Sequence, residues 1–329
     1  MVKTNVLTFN RRGVISRSRV IIRHTKSHKL VLVLLCAALL LSLRNVLLVL
    51  NYKLDESIVL VNNVKDMFLT SPAPIPKIIW QTAKSHDEPP PASKKIMDTW
   101  NETTNPSWTR KLLDDEELVT FMATYYNQTV VDAFKELPLP VMKADFFRMA
   151  VMYHKGGVYA DVDVECKKPI ESWSNGAIDR CEVVLGMEND HHICNWGFAS
   201  RRHHPLFKKA VDLSLSRFVN TKIDTTHEHF VHYVTGPELF THALQLLIND
   251  DGCKPIPPPK NPKQATPKYA KVLYNECRDT LKEKHGICLF DVKTQKGWFE
   301  NHYSSLKKSL QSEDWVTSWT EQRKELTNQ

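Results

Sequence analysis

The longest apolar run in the chain is Leu30 to Leu50, "LVLVLLCAALLLSLRNVLLVL", with Arg44 as its one charged residue. A membrane-spanning helix needs about 20 mostly apolar residues, and Arg44 lies near the far end, where a long side chain reaches the headgroups. A cleaved signal peptide has a shorter apolar core and a small-residue cleavage site. The following "NYKLDES" offers none, so the pattern predicts an anchor over residues 30–50. Residues 51–73 have no clear period and lead into "TSPAPIP", which reads as a short stem. From residue 74 the pattern changes. "KIIWQTA" (Lys77 to Ala83) predicts a strand, Lys94 to Trp100 a helix, and "WTRKLL" a second strand. Asp114 then caps a helix beginning "DEELVTFM", whose first turn is acidic, as the helix dipole favours. Strand–helix alternation predicts a mostly parallel sheet with helices on both faces.

In "VMKADFFRMAVMYHKGG", Met142, Phe146, Met149 and Tyr153 recur at helical spacing and predict one buried stripe. Asp145 and Arg148, three apart, fall together on the flank of that helix and point away from the core. Gly156-Gly157 ends the helix, and "VYADVDV" follows as a strand. The later half is less regular. Its "KPIPPPKNPKQATPK" (Lys254 to Lys268) predicts an extended surface loop. No internal repeat is present.

Charge adds an orientation. The 329-residue chain has a net charge of +7, but residues 1–29 hold eight Lys/Arg and no Asp or Glu, leaving 36 basic against 37 acidic side chains in the rest. The excess is therefore one tail rather than a nucleic-acid-binding face. The positive-inside rule places that tail in the cytoplasm and the body, residues 74–329, in a lumen, as a single-pass type II protein. Two glycosylation sequons, Asn101-Glu-Thr103 and Asn127-Gln-Thr129, agree with that side; Asn105 is blocked by Pro106. Apart from Cys36, the cysteines are 166, 181, 194, 253, 277 and 288. Their even number is compatible with disulfides, none has zinc-site spacing, and their connectivity stays open.

The candidate chemistry sits in "GGVYADVDVECKKPI". A strand inside a parallel sheet is apolar on both faces, and this one is apolar up to Asp161. Open α/β sheets bind ligands beyond the carboxyl ends of their strands. Asp161 and Asp163, hard ligands two residues apart, suit Mg²⁺ or Mn²⁺ holding a diphosphate. The triplet alone is equally a solvated turn. Glu188 and Asp190, in "LGMENDHHICNW", either approach the acceptor or the anomeric carbon or serve as loop carboxylates. His227, His229 and His232 have the composition of a metal site but no carboxylate support, and read as a helix face. Thr235-Gly236-Pro237 is either an element near the site or a plain turn that opens a helix with proline at its first position.

The ordered set Asp145, Arg148, Gly156-Gly157, Tyr159, Asp161-x-Asp163 resembles the retaining glycosyltransferases with the DXD sugar-binding motif, most nearly the fungal Golgi α-1,6-mannosyltransferases of that family. The likeness starts at "IPKIIWQTAKS", continues in "NPSWTRKLLDDEE", is strongest from Leu137 to Trp173, and persists in "CNWGFASRRHHPLF" and "TGPELFTHAL". It implies a GT-A type, Rossmann-like sheet. It implies GDP-mannose as donor, Mn²⁺ or Mg²⁺, a glycan or glycoprotein acceptor, and residence in the Golgi membrane, with a Golgi complex as a further partner. By the same resemblance, Asp145 and Arg148 contact donor ribose or sugar hydroxyls, and Tyr159 and Asp161 belong to the donor site. Asp163 binds the metal and His302 completes its shell. The family's late His precedes Gly-Ser-Trp, whereas Tyr-Ser-Ser follows His302 here. An inositol phosphoceramide mannosyltransferase and a UDP-sugar hexosyltransferase share the motif. A non-catalytic subunit of a mannosyltransferase complex is the reading outside the enzyme class.

Overall fold

The computed structural model describes residues 2–9, 15–22, 74–86, 91–219, 229–249, 251, 253 and 267–303. The expected anchor, the stem, most of the proline-rich loop and His227 lie outside the described residues. Among the described residues, no helix is long and apolar enough to cross a membrane. Two units divide the chain at Thr70–Ser71. In the first, β1 (Val2–Phe9) pairs antiparallel with β2 (Ile15–Ile22), Val2 opposite Ile22 and Phe9 opposite Ile15, strands that the sequence reading did not place in the basic tail.

The second unit is built on a six-stranded sheet of β3 (Ile78–Thr82), β4 (Thr109–Leu113), β5 (Gly157–Ala160), β7 (Val183–Gly186), β8 (Gly197–Ser200) and β9 (Ile287–Phe290). Their order is β4-β3-β5-β8-β7-β9. The pairs β3–β4, β3–β5 and β7–β9 are parallel, while β8 runs antiparallel to both neighbours. The sheet is therefore mostly parallel, as the strand–helix alternation predicts. Successive strand residues alternate between two cores. Trp80, Tyr159 and Leu185 face a helical layer, and Ile79, Val158 and Val184 face a second cluster holding Trp100, Trp173, Trp298 and Phe299. The period-2 geometry of strands makes this division obligatory once both faces are covered.

The expected single strand over "VYADVDV" is two. β5 ends at Ala160, the chain turns through Asp161–Asp163, and β6 (Val164–Cys166) pairs antiparallel with β10 (Phe299–Asn301) in a separate ribbon. A carboxylate cannot stay unpaired in a strand buried on both faces, so the sheet stops where the acid begins.

The Pro140–His154 helix leads into this turn. The expected stripe is present, with Met142, Phe146 and Met149 buried and Tyr153 half-buried. The stripe is not the whole of it, because Phe147, Ala150, Val151 and Met152 are buried too. The helix lies under a second layer, packed on the Pro205–Phe218 helix. Its flank is therefore interior, which corrects the expected outward course of Asp145 and Arg148. The two glycines after it make the entry to β5 feasible. Gly156 (φ +66°) and Gly157 (φ +108°) adopt left-handed conformations, and a Cβ on Gly157 would come within 2.4 Å of the Ile78 carbonyl oxygen. Trp80 Nε1 donates to the Gly156 carbonyl at 2.8 Å, locking the crossing. Asp114 forms the predicted cap, accepting from Glu116 and Glu117 amides, with Glu117 reaching back in a capping box. Disulfides join Cys181 to Cys288, across β7 and β9, and Cys253 to Cys277; Cys166 and Cys194 are free and buried.

Candidate functional site

At the carboxyl end of β5 a cavity of about 220 Å³ is lined by Asp145, Arg148, Asp161, Asp163, Glu188, Asn195, Trp196, His232, Asn301 and Tyr303, among others. Its floor is a network of charges. Arg148 lies 2.9 Å from Asp145 Oδ1, donates at 2.8 Å to Asp161 Oδ1, and donates to the Asn195 carbonyl at 2.9 Å. Tyr159 OH donates to the same Asp161 oxygen at 2.9 Å, and its ring lies 5.0 Å from the guanidinium carbon. Asp145 is held on both oxygens, by Asn195 Nδ2 at 3.1 Å and by Thr235 Oγ1 at 3.1 Å. Asp145 and Arg148 are only 3% and 4% exposed, so this is a buried pair rather than a surface one. Taking such charges out of water is unfavourable unless each is paired and hydrogen-bonded, and here each is.

The electrostatics follow from that burial. Burial opposes Arg148's charge, but Asp161, Tyr159 and Asp145 outweigh it and hold the guanidinium protonated. Burial pushes Asp145 up to about 6, against the pull of Arg148. Asp161 is also raised by burial, with Arg148 and Tyr159 pulling the other way. Asp163 is pushed up to about 7 by burial and by the charge of Asp161 beside it. Its side chain takes a long contact from Asn301 Nδ2 at 3.4 Å, and its carbonyl accepts from the His302 amide at 2.8 Å. Two carboxylates this close, with their ionisation opposed by burial, match the oxygen donors that Mg²⁺ or Mn²⁺ accepts.

The structure brings Asp145, Arg148, Asp161, Asp163 and Glu188 to one cavity, with Tyr159 beneath it. Three expectations change. Arg148 does not point outward; Asp145 and Asp161 bind its guanidinium. Asp190 is not in the cavity. It is half-buried, with Lys268 and Lys271 nitrogens 3.3 and 3.5 Å from its Oδ2, and their hydrogen bonds lower its pKa. His302 turns its imidazole to Glu165, at 2.8 Å, in a half-buried group with Glu300. On an antiparallel ribbon adjacent residues face opposite sides, so the Asn301 side chain reaches the Asp163 carboxylate while the His302 imidazole meets Glu165. His232 lines the cavity, and its ring packs 5.8 Å from that of His192. Asn195, Trp196 and Asn301 carry no charge and no motif, and sequence reasoning missed them. The signal available for the first two was register. Ala160 pairs with Gly197, so Asp161 must meet Trp196, and its amide does donate to the Trp196 carbonyl at 3.0 Å.

Comparisons with known proteins bear on the same residues. Residues 90–178 match the family model described as "Glycosyltransferase sugar-binding region containing DXD motif". The chain is 29% identical over 203 residues to the initiation-specific alpha-1,6-mannosyltransferase of Schizosaccharomyces pombe, covering 54% of this chain and 50% of that one. It is 36% identical over 108 residues to the Saccharomyces cerevisiae protein of the same name, covering 31% and 22%. It is 27% identical over 202 residues to inositol phosphoceramide mannosyltransferase 1 of Schizosaccharomyces pombe, covering 59% and 56%. The chain thus spans about half the length, or less, of these curated relatives. The residues that match this model include the Asp161-x-Asp163 triplet at the cavity.

Proposed function

We propose that this chain is a type II Golgi membrane enzyme that transfers mannose from GDP-mannose, with Mn²⁺ or Mg²⁺, to a glycan acceptor with retention. The observation that carries the reading is the buried Asp145–Arg148–Asp161 network at the end of β5, which holds a DXD acid in a cavity open to solvent. A structural ion pair alone would not need a cavity above it. The mannosyl assignment is supported by the activities for which the relatives are named, and the membrane assignment by the apolar run over residues 30–50.

In this reading Arg148, held protonated, fixes one oxygen of Asp161 and so sets the direction of that carboxylate. Asp163 and Asp161 would hold the cation. The cation supplies positive charge against which a nucleoside diphosphate leaves. Tyr159, with its hydroxyl on Asp161, keeps that acid oriented and shields it from below. Asp145 compensates the guanidinium, so that Arg148 is not left with a single anionic partner.

The acceptor reading is tested by supplying solubilised full-length chain with GDP-[¹⁴C]mannose and, in parallel, an N-glycan core or inositol phosphoceramide. Label in the N-glycan arm supports an α-1,6-type activity. Label only in the lipid moves the chain to the inositol phosphoceramide group. No label in either contradicts the mannosyl reading.

A further inference from the structure

Glu188 lines the same cavity as the DXD turn, presented by a loop that closes on itself. β7 ends at Gly186, Met187 bridges antiparallel to Ile193, and the Glu188 amide donates to the His192 carbonyl at 3.0 Å. Inside the loop, Asn189 Oδ1 accepts from the His191 and His192 amides at 2.8 and 2.9 Å, an Asx-type turn that fixes its shape. The loop separates its two acids. Asp190 goes outward to lysines, and Glu188 goes inward.

What sets Glu188 apart is an unmet need. Its Oε2 is buried and has no hydrogen-bond partner among the described residues. Buried acceptors are nearly always paired, and an exception in a cavity points to a ligand or water that completes it. Arg148, which lines the same cavity, has a buried Nε that is also without a partner among the described residues. An acceptor and a donor, both unmet, match the hydroxyl group, which donates and accepts at one atom. Glu188 lines the cavity with Asp145 and Arg148, whose charges act on it. The volume, about 220 Å³, suits one sugar ring rather than a whole nucleotide sugar.

We propose that Glu188 is a specificity-determining residue that accepts a hydrogen bond from one hydroxyl of the sugar being transferred. This rests on the donor reading above. The diphosphate belongs at Asp161 and Asp163, and the ring attached to it extends toward Glu188. A site built to bond a hydroxyl rejects an analogue that lacks it, because the buried carboxylate is then left unpaired.

The test is a chemical double-mutant cycle on the full-length, solubilised chain with Mn²⁺. Binding of GDP, GDP-mannose and its 2-, 3-, 4- and 6-deoxy analogues is measured by calorimetry for wild type, Glu188→Ala and Glu188→Gln. Glu188→Ala should weaken GDP-mannose roughly tenfold or more while leaving GDP unchanged. One deoxy analogue should show that loss already in wild type, with no further loss in the variant. Equal losses across all deoxy analogues, or an unchanged GDP-mannose affinity in both variants, overturn the role. Glu188→Gln keeps the volume and covers the case in which alanine disturbs the loop, and a melting curve on each variant identifies that case. If wild type binds neither GDP nor GDP-mannose, the donor reading itself has failed, an outcome distinct from the first two.

Discussion

The cavity has two walls of different origin. The first is continuous in sequence. Asp145, Arg148, Gly156, Gly157, Tyr159, Asp161 and Asp163 follow one another through a helix, a turn and a strand. The second is assembled from Glu188, Asn195, Trp196, His232, Asn301 and Tyr303, drawn from separate segments between β7 and the residues just past β10. The first wall is charged and densely hydrogen-bonded, apart from Arg148 Nε. The second contributes single groups, one of them unsatisfied. The continuous wall lies within residues 90–178, which match the DXD-containing family model, and the assembled wall lies outside them.

Breaking the first wall should have the largest effects. Asp163→Asn is expected to abolish transfer with a melting transition near wild type in the absence of donor, since a hard anionic ligand is lost without loss of packing. Calorimetry should show the accompanying loss of Mn²⁺ affinity. Arg148→Ala should be severe in a second way. It leaves Asp145 and Asp161 buried without their cation, and removing one partner of a buried pair costs about 3–5 kcal/mol. Urea unfolding measures this. A loss below 1 kcal/mol, the scale of an exposed pair, would contradict the buried network.

A smaller effect comes from pH. Asp145 and Glu188 are raised by burial to about 6 and about 7. The folded protein therefore binds their protons more tightly than the unfolded chain does. That contribution is complete below the ordinary carboxylate range and is lost as pH rises through 6 and 7. The melting temperature of the metal-free protein should fall over that window, and the fall should shrink in Glu188→Gln. A melting temperature that rises between pH 5 and 7.5 would contradict the burial of these acids. Asp190→Asn, just outside the second wall, should leave melting and kinetics at wild-type values. A kinetic defect there would return Asp190 to the site.

These walls also show how far the sequence could be read. The elements of the first wall follow from local rules: a proline-initiated helix, glycines that alone tolerate positive φ against a neighbouring backbone, and a strand that must stop at its first acid. The depth of that wall was not legible, because the helix carries its second packing layer on the Pro205–Phe218 helix, more than 50 positions later. Arg148 was therefore read as an outward flank residue. Glu188 and Asp190, two apart in a loop, are chemically alike in sequence. Only the Met187–Ile193 closure and the lysines at 268 and 271 send them in opposite directions. His302 was expected at the metal by resemblance. The pairing of β10 with β6 puts Asn301 on that side instead.

The most direct test of the account is donor turnover by the solubilised full-length chain without acceptor. Mannose release from GDP-mannose is followed with and without Mn²⁺, beside a panel of UDP-hexoses, for wild type and Asp163→Asn. The account predicts release from GDP-mannose that requires Mn²⁺, slower or no release from the UDP-hexoses, and none in Asp163→Asn. Equal release by wild type and Asp163→Asn, or preference for a UDP-hexose, would contradict it.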